Sequence, residues 1–366
     1  MKIPKIVIIG STGKLGSILL NFTFKNNIPI HAITGFKNSN KLKLYESKYS
    51  IKKTFCLKNN NDIDKLKILF KSVSIDIIYF LDVGSRSLIY LNYFLKFQKN
   101  SVICIANKEM IIAGGSLLKK FISRSNCTLI PLDSEHFSLI NNYPNAKNVK
   151  KIYITASGGP FYFNKNINLK KVSKKQVLSH PKWIMGYNNL IDSSNFINKV
   201  LEIFELSYIF DIPLEKIDFV VSREAFVHSI IHYKDETITF NCFANNMLIT
   251  LSKPLKKFYD FDLNLNYDNI YNIENFRIEK FKDKRFKIYN YINTIKKFNH
   301  NQQILFMIFN NQAQSLYLSG KIPYYKILSH IFKKIEIFNE IKNKKLRNFK
   351  DILNFIDSIN VSLNKK

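Results

Sequence analysis

Asp133 and Glu135, in the stretch Pro131-Leu132-Asp133-Ser134-Glu135-His136-Phe137, place two carboxylates two positions apart around a serine. That concentration of negative charge stands out in a chain of 366 residues with 56 Lys+Arg, 27 Asp+Glu and a formal net charge of +29. No basic residue lies within several positions on either side. Neighbouring carboxylates repel unless something positive sits between them. A hard divalent cation is the natural occupant, because Mg2+ takes carboxylate oxygens and leaves positions for substrate and water. Asp133 and Glu135 are therefore candidate metal ligands, against the plainer reading of a solvated acidic loop. Other residues point the same way. Asn107-Lys108-Glu109 ends the apolar run SVICIA. Asn198, Glu202 and Glu205 fall at helical offsets of four and three, hence on one face, and Glu202 offers a third carboxylate. Ser157 in ASGGP and Ser193 before that helix put hydroxyls at a tight turn and a helix start, where anions bind. With Asn198 and Lys199 they make a phosphate cradle. The single tryptophan, Trp183, sits in HPKWIMG among His180, Pro181 and Gly186. It suits a flap that covers a ligand and excludes water, or else an ordinary core position.

These residues need elements to hold them. Residues 5–9, KIVII, read as a strand. The turn Gly10-Ser11-Thr12-Gly13-Lys14-Leu15-Gly16 follows, then the helical spacing of SILLNFTF. Glycines between a strand and a helix are the setting of a dinucleotide site. They allow the tight turn and bring the backbone close to a pyrophosphate on the helix N-terminus. The spacing here, GxxGxxG, is a variant of the usual triplet. After the second strand, PIHAIT, NAD would call for an acidic residue. This chain has Gly35-Phe36-Lys37-Asn38 instead. Lys37 and Asn38 suit a 2′-phosphate, so NADPH is the expected cofactor unless Lys37 is one more scattered surface lysine. Asn107, Glu109 and Gly186 are grouped with the cofactor site.

Further apolar runs, DIIYFLDV, SVICIA and CTLIPLD, alternate with helix-like segments and predict a parallel, doubly wound sheet. After Asp133 the texture changes. KKIYITAS, KIDFVVS, HSIIHY and TITFNCF read as strands, with a helix from about 194 to 210 and a turn at Lys234-Asp235-Glu236. The expected fold class is α/β: an N-terminal Rossmann-like doubly wound sheet, a central α+β catalytic domain and a C-terminal helical domain. The expected boundaries are 1–132 for cofactor binding, 133–255 for catalysis and dimerisation, 256–283 as a linker without clear period, and 284–366 as helices.

Composition excludes some partners. Lysines are scattered and build no basic stripe with interleaved aromatics, so nucleic acid is not the expected partner despite the charge. No apolar run is long enough to span a bilayer and no signal segment precedes the first strand, so no membrane and a cytoplasmic location are expected. Cys56, Cys104, Cys127 and Cys242 form no CxxC pair and match no zinc spacing.

Taken together, GSTG, ANKE, LIPLDSEH, ASGGPF, HPKWIMG and DSSNFINKVLEIFE resemble 1-deoxy-D-xylulose 5-phosphate reductoisomerases over roughly the first 230 residues. The C-terminal third matches only in helical character. The resemblance implies a homodimer that uses NADPH and Mg2+ or Mn2+ to rearrange and reduce a sugar phosphate, giving 2-C-methyl-D-erythritol 4-phosphate. Residue by residue, it implies Asp133, Glu135 and Glu202 as metal ligands, with Lys108 and Ser134 at the substrate oxygens. It implies Ser157, Ser193, Asn198 and Lys199 for phosphate and hydroxyls, and His180, Trp183 and Met185 in the flap. Three stretches depart from the family pattern: Ser222-Arg223-Glu224-Ala225 replaces His-Pro-Gln-Ser, Asn310-Asn311-Gln312-Ala313-Gln314 replaces Asn-Ala-Ala-Asn-Glu, and Tyr187-Asn188 replaces a basic pair. These departures leave open a catalytically impaired relative. Two rival classes remain. A semialdehyde-dehydrogenase type of NADPH oxidoreductase would need a catalytic cysteine in a substrate-domain turn. A basic binding protein would hold nucleic acid in a salt-sensitive way and be indifferent to replacing Asp133.

Overall fold

β1 (Ile6–Ile9), a run of four β-branched residues, is buried along its whole length, as a central parallel strand covered on both faces should be. The computed structural model describes residues 3–179, 186–263, 265 and 277–364. β2 (Ala32–Gly35), β3 (Thr54–Cys56), β4 (Ile77–Phe80), β5 (Val102–Ile105) and β6 (Thr128–Pro131) complete a six-stranded sheet in the order β3-β2-β1-β4-β5-β6. Every pairing in it is parallel. That order reverses between β1 and β4, and ligands of such sheets bind in the crevice at the carboxyl ends there. The linking helices are α1 (Lys14–Lys25), α2 (Ser39–Lys48), α3 (Asn60–Ser72), α4 (Ser87–Phe97), α5 (Lys108–Arg124) and the short α6 (Ser134–Phe137). β3 has three residues and escapes the sequence pattern.

Contacts divide the chain into two units. The first comprises Met1–Ile140, Asn246–Tyr267 and Asn348–Leu353. The second comprises Asn141–Asn245, Asp268–Arg347 and Asn354–Lys366. The core of the first joins Ile6, Ile8, Leu19, Ile33 and Tyr79 with Leu251 and Leu255. Tyr79 donates its hydroxyl proton to the Leu251 carbonyl at 2.9 Å, which satisfies a phenol that burial would otherwise penalise.

In the second unit β7 (Val149–Ala156), β8 (Ile217–Val221), β9 (Val227–Tyr233), β10 (Ile238–Cys242) and β11 (Glu279–Lys280) order as β10-β9-β7-β8-β11. β7 and β8 run parallel and the other pairs antiparallel. The expected turn at Lys234-Asp235-Glu236 is the β9–β10 hairpin. The predicted helix near 194–210 is α9 (Ile197–Phe210); before it stand α7 (Lys174–Val177) and α8 (Tyr187–Ser194), the latter set off from α9 by a break. Phe196 breaks them apart with a left-handed backbone, φ 66°. The strain is held by packing: its buried ring lies 4.6 Å from Phe281 and 4.9 Å from Phe286, centroid to centroid. α10 (Met247–Ser252) belongs to the first unit. Where FKIYNYINTI reads as one helix, a 3-10 turn and the four-residue α11 (Ile292–Ile295) stand instead. α12 (His300–Leu318), α13 (Ile327–Ile337) and α14 (Phe349–Asn364) complete the helical segment. Ile304 through Phe309 are all buried, so α12 is a helix covered all round.

Candidate active site

The glycine turn between β1 and α1 is shaped by close backbone approach. Gly10 has φ +85°, and a Cβ there would stand 2.4 Å from the Asp82 nitrogen. A Cβ on Gly16 would stand 2.5 Å from Cα of Ser11. Gly13 is the N-cap of α1 and has ordinary room, its nearest neighbour the Gly10 carbonyl at 3.4 Å. Ser11 is fully buried, its hydroxyl given to the Thr34 carbonyl at 2.9 Å. The helix begins at Lys14, with Leu15 and Gly16 in its first turn and no acidic residue within that turn, which suits an anion at a helix N-terminus. Lys37 is exposed. Asn38 caps α2, accepting from the Lys41 nitrogen at 2.9 Å. Sequence reasoning passed over Lys41, whose ammonium donates to the Thr12 carbonyl at 2.7 Å and braces the glycine turn.

It also passed over Asp82, at the end of β4. The Ser87 hydroxyl donates to it at 2.5 Å and the Asn107 amide at 3.3 Å. Burial nonetheless raises its pKa to about 6, and the nearby Glu109 charge adds to the rise. Asn107 is buried. Its side-chain oxygen caps α5 by accepting from the Met110 nitrogen at 2.9 Å, and its amide reaches the Gly84 carbonyl at 3.0 Å. The next residue, Lys108, is thereby aimed from the start of α5. Its ammonium donates to the Asp133 carboxylate.

That contact follows from topology. Lys108 lies three residues past Ile105, and Asp133 two past its strand partner Pro131, so the ends of β5 and β6 deliver both to one place. The cation missing from the sequence neighbourhood of Asp133 thus comes from 25 residues upstream. A carboxylate oxygen of Asp133 and one of Glu135 lie within 4.8 Å of each other. Ser134 donates to Glu135 at 2.5 Å. Ser134, Glu135 and His136 are all buried, His136 completely. The cluster is made of hard oxygen donors at a spacing that a cation of the Mg2+ or Mn2+ type can bridge, so these residues fit such an ion.

The second unit holds the other half of the predicted residues. On α9, Lys199 donates to Glu202 Oε2 at 2.6 Å and the Asn198 amide donates to Glu202 Oε1. Glu202 and Glu205 are each 1% exposed. The i, i+3 and i, i+4 spacing read from the sequence therefore does place Asn198 and Lys199 on the carboxylate of Glu202. Ser157 ends β7's turn into Gly158 and Gly159, both with positive φ. A Cβ on Gly159 would stand 2.7 Å from the Ser193 carbonyl, so the glycine turn and Ser193 share one compact corner. Gly186 is exposed and caps α8, and a Cβ there would meet nothing. His180, Trp183 and Met185 lie outside the described residues.

The family model for the 1-deoxy-D-xylulose 5-phosphate reductoisomerase C-terminal domain matches residues 129–210. The reductoisomerase of Pelagibacter ubique is 31% identical, the match covering 98% of each chain. This chain belongs to the 1-deoxy-D-xylulose 5-phosphate reductoisomerase family. The reductoisomerase of Clostridium tetani is 30% identical over 88% of this chain and 89% of its own. Among solved structures, the reductoisomerase from Zymomonas mobilis in complex with NADPH has the same fold, with a TM-score of 0.79 at 21% identity over 98% and 97% of the two chains. A DOX-P reductoisomerase in complex with NADPH, fosmidomycin and magnesium gives 0.84 at 21% identity over 97% and 96%.

Around Ser222-Arg223-Glu224-Ala225, where this chain departs from the family pattern, Ser222 and Ala225 are buried while Arg223 is exposed. Arg223 lies over the Phe163 ring at 5.3 Å. Ala225 takes a left-handed φ of 55°. His228 stacks on Phe243 at 3.9 Å and its Nε2 meets the Phe243 carbonyl at 3.0 Å.

Proposed function

We propose that the chain rearranges and reduces 1-deoxy-D-xylulose 5-phosphate to 2-C-methyl-D-erythritol 4-phosphate, with NADPH and Mg2+ or Mn2+. The observation that carries this reading is 31% identity over 98% of both chains with a family member, in a sequence that retains LDSEH, ASGGPF and the Asn198-Lys199-Glu202 set. Asp133, Glu135 and Glu202 would hold the metal. When bound, the cation supplies Lewis-acid polarisation of the substrate oxygens and NADPH supplies hydride.

The protein's own groups do the rest. Lys108 brings a positive charge to the carboxylate cluster, where charge develops on the reacting oxygens, and Ser134 orients them. Ser157, Ser193, Asn198 and Lys199 hold the phosphate and hydroxyls away from the reacting carbons, so that binding there orients the rest of the substrate. The α1 N-terminus and the turn from Gly10 to Gly16 receive the NADPH pyrophosphate, Lys37 and Asn38 its 2′-phosphate, with Asn107, Glu109 and Gly186 completing the cofactor contacts. His180, Trp183 and Met185 close over the site. The division of labour is 1–132 for NADPH, 133–255 for catalysis and dimerisation, a linker at 256–283 and a helical domain at 284–366. The enzyme works as a cytoplasmic homodimer; among the described residues no helix is long and apolar enough to cross a membrane.

The test is NADPH oxidation with 1-deoxy-D-xylulose 5-phosphate and Mg2+ or Mn2+, in wild type and Glu202→Gln. The wild type turns over, while the variant loses most activity, roughly 100-fold or more, and retains NADPH affinity. Absence of steady NADPH oxidation in the wild type would refute the reading. Equal activity in the variant would remove Glu202 from the metal site.

A further inference from the structure

Beside the proposed phosphate corner, α8 ends in Asp192, Ser193 and Ser194, and the two neighbours of Ser193 are tied to the C-terminal helical segment. Asp192 is 4% exposed. Asn310 gives its amide nitrogen to both carboxylate oxygens of Asp192, at 3.1 and 2.9 Å. Gln314, one helical turn on, gives its nitrogen to Asp192 Oδ1 at 2.6 Å and to the Asn188 carbonyl at 3.2 Å. The Tyr324 hydroxyl donates to the Ser194 carbonyl at 2.8 Å and lies 3.1 Å from the Ser194 hydroxyl, whose own proton goes to the Ile191 carbonyl at 2.6 Å. The amide oxygens of Asn310 and Gln314 are buried without hydrogen-bond partners among the described residues. Both amides therefore forgo a bond on the oxygen side to face nitrogen-first onto Asp192, an orientation a carboxylate acceptor rewards.

We propose that Asn310, Gln314 and Tyr324 form a clamp that positions Ser193 for the substrate phosphate, making the C-terminal helices part of the substrate site. Asp192 is a positioning residue in it. The clamp rests on the phosphate role assigned to Ser193 above. Position 314 is also one where this chain departs from the family pattern. A glutamate at 314 would bring a second carboxylate to within hydrogen-bond distance of buried Asp192, and one of the two would have to be protonated. Gln314 supplies a donor at every pH. Asp192 is the sole charged residue of α8, and α12 carries none besides His300 at its start. Among the described residues, the titratable groups facing the clamp include Tyr324 and Tyr317, both pushed up by burial and so neutral across the working range.

The test uses the full chain with Asp192→Asn, Gln314→Glu and Tyr324→Phe, each checked for folding by circular dichroism. For Asp192→Asn, the KM for 1-deoxy-D-xylulose 5-phosphate rises at least tenfold, while kcat and the KM for NADPH stay within about threefold. For Gln314→Glu, the KM ratio to wild type is large at pH 8.5 and returns towards one at pH 6, where the new pair shares a proton. Tyr324→Phe raises the same KM by a smaller factor. Binding of inorganic phosphate, followed by calorimetry, weakens in step. A Gln314→Glu ratio that is flat with pH overturns the clamp, as does a parallel fall of kcat, both KM values and melting temperature. If the wild type turns nothing over yet Asp192→Asn loses phosphate affinity, the clamp stands and the assigned reaction fails. Unaltered phosphate affinity in all three variants removes the clamp whatever the reaction.

Discussion

Asp82 and Lys108 are the two residues whose electrostatics the fold most clearly sets, and each makes a prediction. Asp82 has a folded-state pKa of about 6 against an ordinary 3.8. The native state thus binds this proton more tightly than the unfolded chain does. Its stabilising contribution is full below 3.8 and is lost as pH rises through about 6. Asp82→Asn, which cannot ionise, should gain about 1–3 kcal/mol over wild type at pH 7.5 and little at pH 4.5. Urea unfolding at the two pH values measures it, and a gap of equal size at both would show that burial of the charge is not the cause. Lys108 donates to the Asp133 carboxylate and so would compete with a cation for it. Lys108→Met should therefore lower kcat by roughly 100-fold or more without weakening Mn2+ binding, since two carboxylates relieved of a competing cation attract a divalent ion at least as well. Calorimetric titration of Mn2+ decides it. Weaker binding in the variant would mean that Lys108 builds the cluster instead of competing for it. The carboxylates themselves were legible as an anomaly of charge. Their ammonium partner was not, because it is adjacent in the sheet and remote in the chain.

At the scale of elements, the glycine turn shows how spacing and space differ. The triplet reads as three equivalent glycines, yet only two are sterically required. Gly16→Ala would drive a methyl to 2.5 Å from Ser11 Cα and should cost several kcal/mol. Gly10→Ala adds a positive φ to a 2.4 Å clash and should be worse. Gly13→Ala meets its nearest neighbour at 3.4 Å and should leave thermal stability within about 1 kcal/mol of wild type. Melting temperatures of the three variants rank the sites, and a Gly13→Ala collapse would contradict the geometry. The long apolar strands were legible because four consecutive buried residues leave an uninterrupted hydrophobic run. β3 and β11 were not: with three and two residues, each is too short to carry a period. The break between α8 and α9 also escaped, since Phe196 has no sequence mark of its left-handed backbone. An aromatic cluster assembled from positions 196, 281 and 286 holds it there.

For the whole molecule, a net charge of +29 creates a field that favours anionic ligands and is screened within about 8–10 Å at ordinary salt. The KM values for NADPH and the sugar phosphate should both rise several-fold between 50 and 300 mM KCl, by loss of this attraction. Steady-state kinetics against salt tests this, and salt-independent KM values would show that the surplus lysines play no part in capture. The sequence by itself determined the longer strands and most of the longer helices, the glycine turn between β1 and α1, and the α9 face that carries Asn198, Lys199 and Glu202. All of these are written in local periodicity, where neighbours in the chain are neighbours in space. Tertiary structure alone decided that Lys108 answers Asp133, that Asp82 backs the glycine turn, and that α12 grips the end of α8. Those contacts join residues 25, 72 and well over 100 positions apart. Strand order and helix packing choose such partners, and neither leaves a periodic trace in the chain.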